Sequence, residues 1–163
     1  QHTYNEKGSL VKESNGVLLY KKKSKYILEY LSPNKIKFIS DGALVTTLDI
    51  DLDQAIIQST NNKAQNNFFE IMTNKDEINK KFILKSYLYN NDNYVKFVPK
   101  NKELENNIFL LIIKDSKIKK ITFMNDFDQS VTMVFSDFKV NLGVLDSSFK
   151  IDIPENFDVI IDK

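Results

Sequence analysis

The sequence lacks three residue types that carry much of protein chemistry, since it has no cysteine, no arginine and no tryptophan. Without cysteine there are no disulfides, thiolate nucleophiles or cysteine-ligated metals, and the redox compartment stays open. Without arginine there is no planar guanidinium to bind base edges or phosphates, which argues against nucleic-acid binding. The 23 basic residues are therefore all lysines, and 22 acidic residues leave a net charge of +1. The charge of the whole molecule thus gives no strong attraction to nucleic acid or membrane.

Motifs for catalysis and metal binding are equally scarce. His2 is the only histidine, and at this terminal position we interpret it as an exposed or strand-edge residue rather than part of a Ser-His-acid triad. Asp49, Asp51 and Asp53 have the spacing that opens a calcium loop, but an EF-hand needs glycine at position 54 and glutamate at position 60, where this chain has glutamine and threonine. We therefore predict a carboxylate-rich turn there, and the sequence shows no recognisable motif for a catalytic residue or metal ligand.

Long hydrophobic runs are also missing. The longest, Ile108–Ile113, is far shorter than the ~20 residues of a transmembrane helix. The chain opens on strand-like residues without a signal peptide, so the protein is either cytosolic or trimmed at its N-terminus. Its 163 residues predict a single domain over 1–163.

Short apolar runs separated by turn residues fill the chain and predict an antiparallel meander. Turns are expected at the glycines Gly8, Gly16 and Gly42, which can take a positive φ, at Asn90–Asn93 and at Asp115-Ser116. The predicted strands are His2–Glu6, Val17–Lys22, Tyr26–Leu31, Lys35–Ile39, Leu44–Asp49, Ala55–Gln58, Lys81–Tyr89, Tyr94–Val98, Ile108–Lys114, Lys117–Met124, Val131–Lys139 and Phe149–Ile151.

Alternation along these strands predicts one large apolar face of a curved sheet. Tyr26, Leu28 and Tyr30 share a face, and Phe38 follows the same pattern in the next strand. Residues Ala64–Met72 have apolar side chains at helical spacing and predict a short helix across that face. Either the sheet closes on itself, or the apolar face remains a cavity for an apolar ligand.

The basic cluster Lys21–Lys25 is typical of a solvated hairpin end. If the hairpin has no bulge, Lys22 has the parity of Tyr26 and points to the apolar side. A charge there is costly unless it is hydrogen-bonded, so Lys22 either reaches out to water or has a partner.

The stretch from Gly16 to Ala55 resembles the LolA family of periplasmic lipoprotein carriers. Its matching residues, in order, are Gly16, Lys21-Lys22-Lys23, Tyr26, Leu28, Tyr30, Pro33, Ser40-Asp41-Gly42, Leu44–Leu48, Asp49–Asp53 and Gln54. Farther along, Phe68–Met72 falls where the family has a lid helix, and Phe157-Asp158-Val159 suits its C-terminal strand. The resemblance covers nearly the whole chain.

The resemblance implies a mainly β fold: an open half-barrel of antiparallel strands that encloses an apolar cavity under a helical lid. It implies a monomeric periplasmic chaperone that takes acylated lipoproteins from an inner-membrane lipoprotein-releasing ABC transporter to an outer-membrane receptor. It also implies that the protein is not an enzyme and has no cofactor. The cavity residues it implies are Leu19, Tyr26, Leu28, Tyr30, Phe38, Phe68, Phe69, Ile71 and Met72.

The chain departs from the family pattern at three points. Lys22 replaces an arginine that latches the lid by hydrogen-bonding its carbonyls, so Lys22 is the expected lid latch. Leu19, Leu28 and Val45 replace tryptophans and make the expected cavity wall more aliphatic. The signal peptide and first lid helix of the family are absent from the sequence given.

Two alternatives remain. The first is an outer-membrane lipoprotein receptor, or another lipid-binding half-barrel, of the same fold; such a receptor has a lipid-modified N-terminal cysteine. The second is a cavity enzyme such as a cyclase or hydrolase, which would need polar groups converging in the pocket.

Overall fold

A computed structural model describes residues 1–59, 75–101, 108–125 and 127–162 of the chain. The described residues are mostly strand, which confirms the predicted mainly β class. In chain order the strands are β1 (His2–Tyr4), β2 (Leu10–Glu13), β3 (Asn15–Lys21), β4 (Lys25–Ser32), β5 (Ile36–Asp41), β6 (Leu44–Asp49), β7 (Gln54–Ser59), β8 (Phe82–Tyr89), β9 (Asp92–Pro99), β10 (Phe109–Lys114), β11 (Lys117–Met124), β12 (Ser130–Val134) and β13 (Asp158–Asp162). The structure also describes an α-helix, α1 (Lys75–Lys81), and a 3-10 helix (Asp146–Phe149).

The chain divides into two compact units, each built around one sheet. The first unit comprises Gln1–Glu13 and Ile78–Val140, and the second comprises Ser14–Glu77 and Asn141–Lys163. Hydrogen bonding therefore forms two sheets where the sequence predicted one, and both units are assembled from segments distant in sequence.

The first sheet has the strand order β2-β1-β12-β11-β10-β9-β8, and all its pairs are antiparallel. Because directly opposed residues share a face, register sorts its side chains into an apolar, largely buried face and a second face that mixes lysines and tyrosines with aliphatic residues. The apolar face includes the buried residues Phe82, Phe97, Phe109, Leu111, Ile121, Val131 and Met133. This face forms the core of the first unit.

The second sheet has the order β13-β7-β6-β5-β4-β3. It is antiparallel from β3 to β7, but β13 pairs with β7 in parallel. The prediction of a purely antiparallel meander is therefore wrong at this edge. Both sheets are open, with β2 and β8 as the edges of the first and β13 and β3 as the edges of the second.

Both predicted hairpin turns are confirmed, although only Asn90 and Asn91 of the predicted stretch Asn90–Asn93 form the first, since β9 begins at Asp92. Asn90 and Asn91 have φ of 48° and 66°, and Asp115 and Ser116 have φ of 49° and 59°. These left-handed pairs are the conformation that a tight hairpin between twisted strands requires. Each asparagine or aspartate tolerates it because a short polar side chain can bond to the local backbone.

Gly16 serves a different purpose from the one predicted. It lies within β3 rather than in a left-handed turn, and a Cβ at this position would run into the backbone carbonyl of Glu29 on β4. Glycine is therefore required here by the close approach of two strands. Gly42, in contrast, has the expected positive φ, at 98°.

Residues 144–157, which we call the C-terminal segment, cover one face of the second sheet. Phe149, predicted to begin a strand, ends the 3-10 helix instead and is completely buried. This helix contacts β4 and β5. Farther along the segment, apolar residues pack on Ile39, Leu48 and Ala55; they are Ile151, Ile153 and Phe157. The second sheet thus has a covered face that depends on residues more than a hundred positions away in sequence.

The predicted lid helix at Ala64–Met72 lies outside the described residues. Across the parts of the chain that the structure describes, no helix is long and apolar enough to cross a membrane.

Candidate functional site

The face of the second sheet opposite the C-terminal segment carries the predicted ligand-binding residues of β4 and β5. Tyr26, Leu28 and Tyr30 alternate along β4, and Phe38 on β5 is directly opposite Leu28. Register therefore brings these four predicted residues together on one face. Tyr30 and Phe38 are in edge-to-face contact, with ring centroids 6.2 Å apart. We call these four residues the aromatic face.

The aromatic face is uncharged, and part of it is buried. Tyr26 and Leu28 are buried. Burial also raises the pKa of Tyr30 to about 12, because the ionised phenolate would lose its hydration. Tyr30 therefore stays neutral throughout the physiological pH range and presents a phenol, not a charge, to whatever lies against it.

Of the other predicted site residues, the structure describes Leu19 and Lys22, and neither is part of the aromatic face. Leu19 is directly opposite Ile27, so it belongs to the face covered by the C-terminal segment and not to the aromatic face. Lys22 is exposed in the turn between β3 and β4. Four further predicted residues lie outside the described part of the chain: Phe68, Phe69, Ile71 and Met72. The latch role of Lys22 stays a prediction.

A lysine clamp that the sequence did not suggest holds the C-terminal segment. Lys21 donates from Nζ to Asp146 Oδ1 at 2.7 Å and to the Val144 carbonyl at 2.8 Å. Lys25 donates from Nζ to Asp146 Oδ2 at 2.9 Å. Lys21 and Lys25 are directly opposed across the β3–β4 hairpin, so one carboxylate offsets the repulsion between two neighbouring cations. The cluster of lysines was visible in the sequence, but the sequence around it does not indicate that the acceptor is Asp146, which is far away along the chain.

The clamp should make the stability of the fold depend on pH. Hydrogen bonds from Lys21 and Lys25 lower the pKa of Asp146 from the ordinary 3.8 to about 2. A carboxyl with a depressed pKa stabilises the fold above its unfolded-state pKa, and that contribution is lost as pH falls through the folded-state value. We expect Asp146→Asn to lower the melting temperature at neutral pH. The difference in melting temperature between this variant and the unsubstituted protein should disappear as the pH falls from 3.8 to about 2.

Circular dichroism melts across that pH range would measure the effect. Asp152→Asn is the matched control, because it removes an exposed carboxylate of the same segment and changes the net charge equally. If Asp146→Asn and Asp152→Asn respond alike, the clamp does not hold the segment.

The three aspartates after β6 form the predicted carboxylate-rich turn. Asp49 Oδ1 accepts hydrogen bonds from the backbone N–H groups of Asp51 and Leu52, and Asp51 Oδ2 accepts one from the N–H of Lys35. One carboxylate oxygen of Asp49 and one of Asp51 thus hold the backbone of the turn. No group of three or more potential metal ligands occurs within the described ranges.

These features define a mainly β protein with an uncharged, aromatic and aliphatic sheet face, a class suited to holding an apolar ligand. The family described as "Outer membrane lipoprotein carrier protein LolA" matches residues 1–152. The chain belongs to this family.

Individual relatives agree. The chain is 30% identical over 149 residues to an outer-membrane lipoprotein carrier protein of Francisella philomiragia subsp. philomiragia, covering 90% of this chain and 71% of the relative. It is 26% identical over 149 residues to the protein of the same description from Francisella tularensis subsp. tularensis, with the same coverage of 90% and 71%. A Pseudomonas entomophila protein, also so described, is 24% identical over 161 residues, covering 98% of this chain and 78% of the relative.

Proposed function

We propose that this chain is a periplasmic chaperone that binds the acyl chains of lipoproteins and carries them between two membranes. The observation that carries the proposal is the aromatic face: Tyr26, Leu28, Tyr30 and Phe38 brought to one side of the second sheet without a charged group among them. Membership of the lipoprotein carrier family supports the same function.

The physical task explains why such a face is needed. Each methylene of an acyl chain gains about 0.8 kcal/mol when it leaves water, so a lipoprotein cannot cross an aqueous compartment unaided. A carrier has to bind strongly enough to extract the chains and weakly enough to release them. Dispersion contacts with phenyl, phenol and aliphatic groups meet this need, and no covalent step is required.

The aromatic face would form one wall of the acyl-binding cavity. Four residues outside the described part of the chain would supply the lid: Phe68, Phe69, Ile71 and Met72. The long, flexible side chain of Lys22, next to the aromatic face in sequence, would bond lid carbonyls as a point charge rather than a fork. We leave Leu19 out of the wall because register places it on the opposite face.

The chain would act as a monomer. It would receive acylated lipoproteins from an inner-membrane ABC transporter and pass them to an outer-membrane receptor. Neither the transfer partners nor the compartment is needed to test the central step, which is the binding of acyl chains.

Phe38→Ala tests that step. We expect the Kd for a fluorescent triacylated lipopeptide to rise about tenfold, because roughly 1.4 kcal/mol of apolar contact is lost. Phe127→Ala is the matched control, since Phe127 is 81% exposed and belongs to the first unit. The Kd of the control should not change.

Two results would contradict the proposal. One is a Phe38→Ala variant that folds normally and binds the lipopeptide as tightly as the unsubstituted chain. The other is equal binding of the same peptide without its acyl chains, which would show that the contacts are not made to the lipid.

A further inference from the structure

The second face of the first sheet carries a pair of lysines that form no ion pair with any described acidic residue. Lys85 on β8 is directly opposite Lys96 on β9, and both are exposed. Directly opposed like charges destabilise a strand pair. Within the described ranges, neither lysine forms an ion pair.

The same chain treats its other opposed lysine pairs differently. Lys21 and Lys25 share the carboxylate of Asp146. Lys114 and Lys117 are also opposed, and Lys114 lies 3.7 Å from Asp92. Lys85 and Lys96 have no such carboxylate among the residues that the structure describes, so this pair stands out as a positively charged site.

A tyrosine stack adjoins the lysine pair. Tyr87 and Tyr94, the next opposed pair on this face, stack with ring centroids 5.0 Å apart and planes 9° apart. Tyr89 contacts Tyr94 edge-on at 6.3 Å. Tyr87 and Tyr89 are 53% and 61% exposed, so the stack adds little to the core and much to the surface.

From β8 to β11, lysines outnumber acidic residues on the described part of this face. Lys120 on β11 has the same orientation, because it is opposite Ile112, which is opposite Tyr94. In the strands from β8 to β11, the one acidic side chain is that of Asp92, which already lies beside Lys114. Lys85, Lys96 and Lys120 thus form a local positive surplus on a chain whose net charge is only +1.

We propose that this lysine–tyrosine face docks on a membrane surface rich in anionic phospholipid. Tyrosine suits the boundary between headgroups and acyl chains because its ring is apolar and its hydroxyl is polar. Lysine stems rest against apolar surface while their ammonium groups reach phosphates. Lysine carries its charge as a point on a flexible stem and does not require acceptors in one fixed geometry. It therefore suits the many similar phosphates of a lipid surface better than the fixed carboxylates of a folded acidic protein.

This docking is independent of acyl-chain binding by the second sheet. It would hold the chain near a bilayer without inserting it, with an attraction that weakens as salt screens the charges. Loss of docking should therefore leave lipopeptide affinity unchanged.

Vesicle flotation with the full chain tests the proposal. At low ionic strength we expect binding to vesicles of phosphatidylcholine mixed with phosphatidylglycerol and not to pure phosphatidylcholine. Lys85→Glu should reduce the bound fraction about tenfold, since it reverses one charge next to the phosphates. The same change should slightly stabilise the fold, because it places a carboxylate opposite Lys96. A drop in binding can then not be attributed to unfolding.

The control is Lys12→Glu, an equal charge reversal on β2 that should bind nearly as the unsubstituted chain does. Tyr87→Ala should also weaken binding while leaving the charge intact. Equal flotation of Lys85→Glu and Lys12→Glu would overturn the proposal, as would equal binding to neutral vesicles. Retention by immobilised polyglutamate without any vesicle binding would overturn it too, and would assign the face to an acidic protein.

Discussion

Phe149→Ala is expected to lower the free energy of unfolding by about 3–5 kcal/mol, the usual cost of truncating a buried phenylalanine. Phe149 has no exposed surface and ends the 3-10 helix that contacts β4 and β5. Its loss would leave a cavity under the C-terminal segment and loosen the cover over Ile39 and Leu48. Urea denaturation followed by circular dichroism would measure the change.

Phe127→Ala is again the matched control, and its effect should stay within about 0.5 kcal/mol because the ring is exposed. Phe149→Leu should lower the free energy of unfolding by less than Phe149→Ala and by more than Phe127→Ala, since leucine refills part of the cavity. A Phe149→Ala protein within about 1 kcal/mol of the unsubstituted chain would mean that the segment contributes little to the second unit.

Gly16→Ala should destabilise the protein by about 1–3 kcal/mol, as expected for forcing extra atoms into a filled space. The added Cβ meets the carbonyl oxygen of Glu29, which is backbone and cannot swing away. The strands β3 and β4 have to separate locally, and Gly16 is directly opposite Tyr30. We therefore expect a second effect, a weaker affinity for acylated lipopeptide, because Tyr30 belongs to the aromatic face.

Val17→Ala controls for a change in the same strand at an exposed position and should alter stability by no more than about 0.5 kcal/mol. Gly16→Val should be worse than Gly16→Ala, since it adds two more carbon atoms against the same carbonyl. Equal stability of all three variants would show that the strands do not need this close approach.

The local features of the fold could be predicted because their causes are local. Alternating side chains marked most strands, and the Asn90-Asn91 and Asp115-Ser116 pairs marked two tight turns. The same alternation placed Tyr26, Leu28 and Tyr30 on one face, which register confirms. Sequence reasoning was thus sufficient to place these residues on one face, and their part in ligand binding stays a prediction.

What the sequence could not show depends on distant contacts. Only Ser14 separates β2 from β3, yet these strands belong to different sheets. No local signal marks this change of sheet, and none links β13 to β7. The partners of Lys21 and Lys25 were missed for the same reason.

Leu19 illustrates a subtler limit. Its face depends on the length of the turn between β3 and β4, which occupies three residues, Lys22 to Ser24, in the structure. A turn one residue shorter or longer would shift the pairing of β3 with β4 by one residue. Leu19 could then lie on the same face as Tyr26 and Leu28 instead of that of Ile27. Alternation within a single strand cannot decide between these cases.

The parallel pair β7–β13 has a consequence for the order in which the protein forms. Residues of β7 are synthesised about a hundred positions before their partner, so the edge of β7 stays unpaired until β13 emerges. Pairing over such a separation closes a long loop and is slow compared with the formation of the hairpins. The second sheet would therefore pass through a late stage in which Leu48 and Ala55 are still uncovered. A chaperone for other chains' hydrophobic groups would itself be exposed to aggregation during that stage.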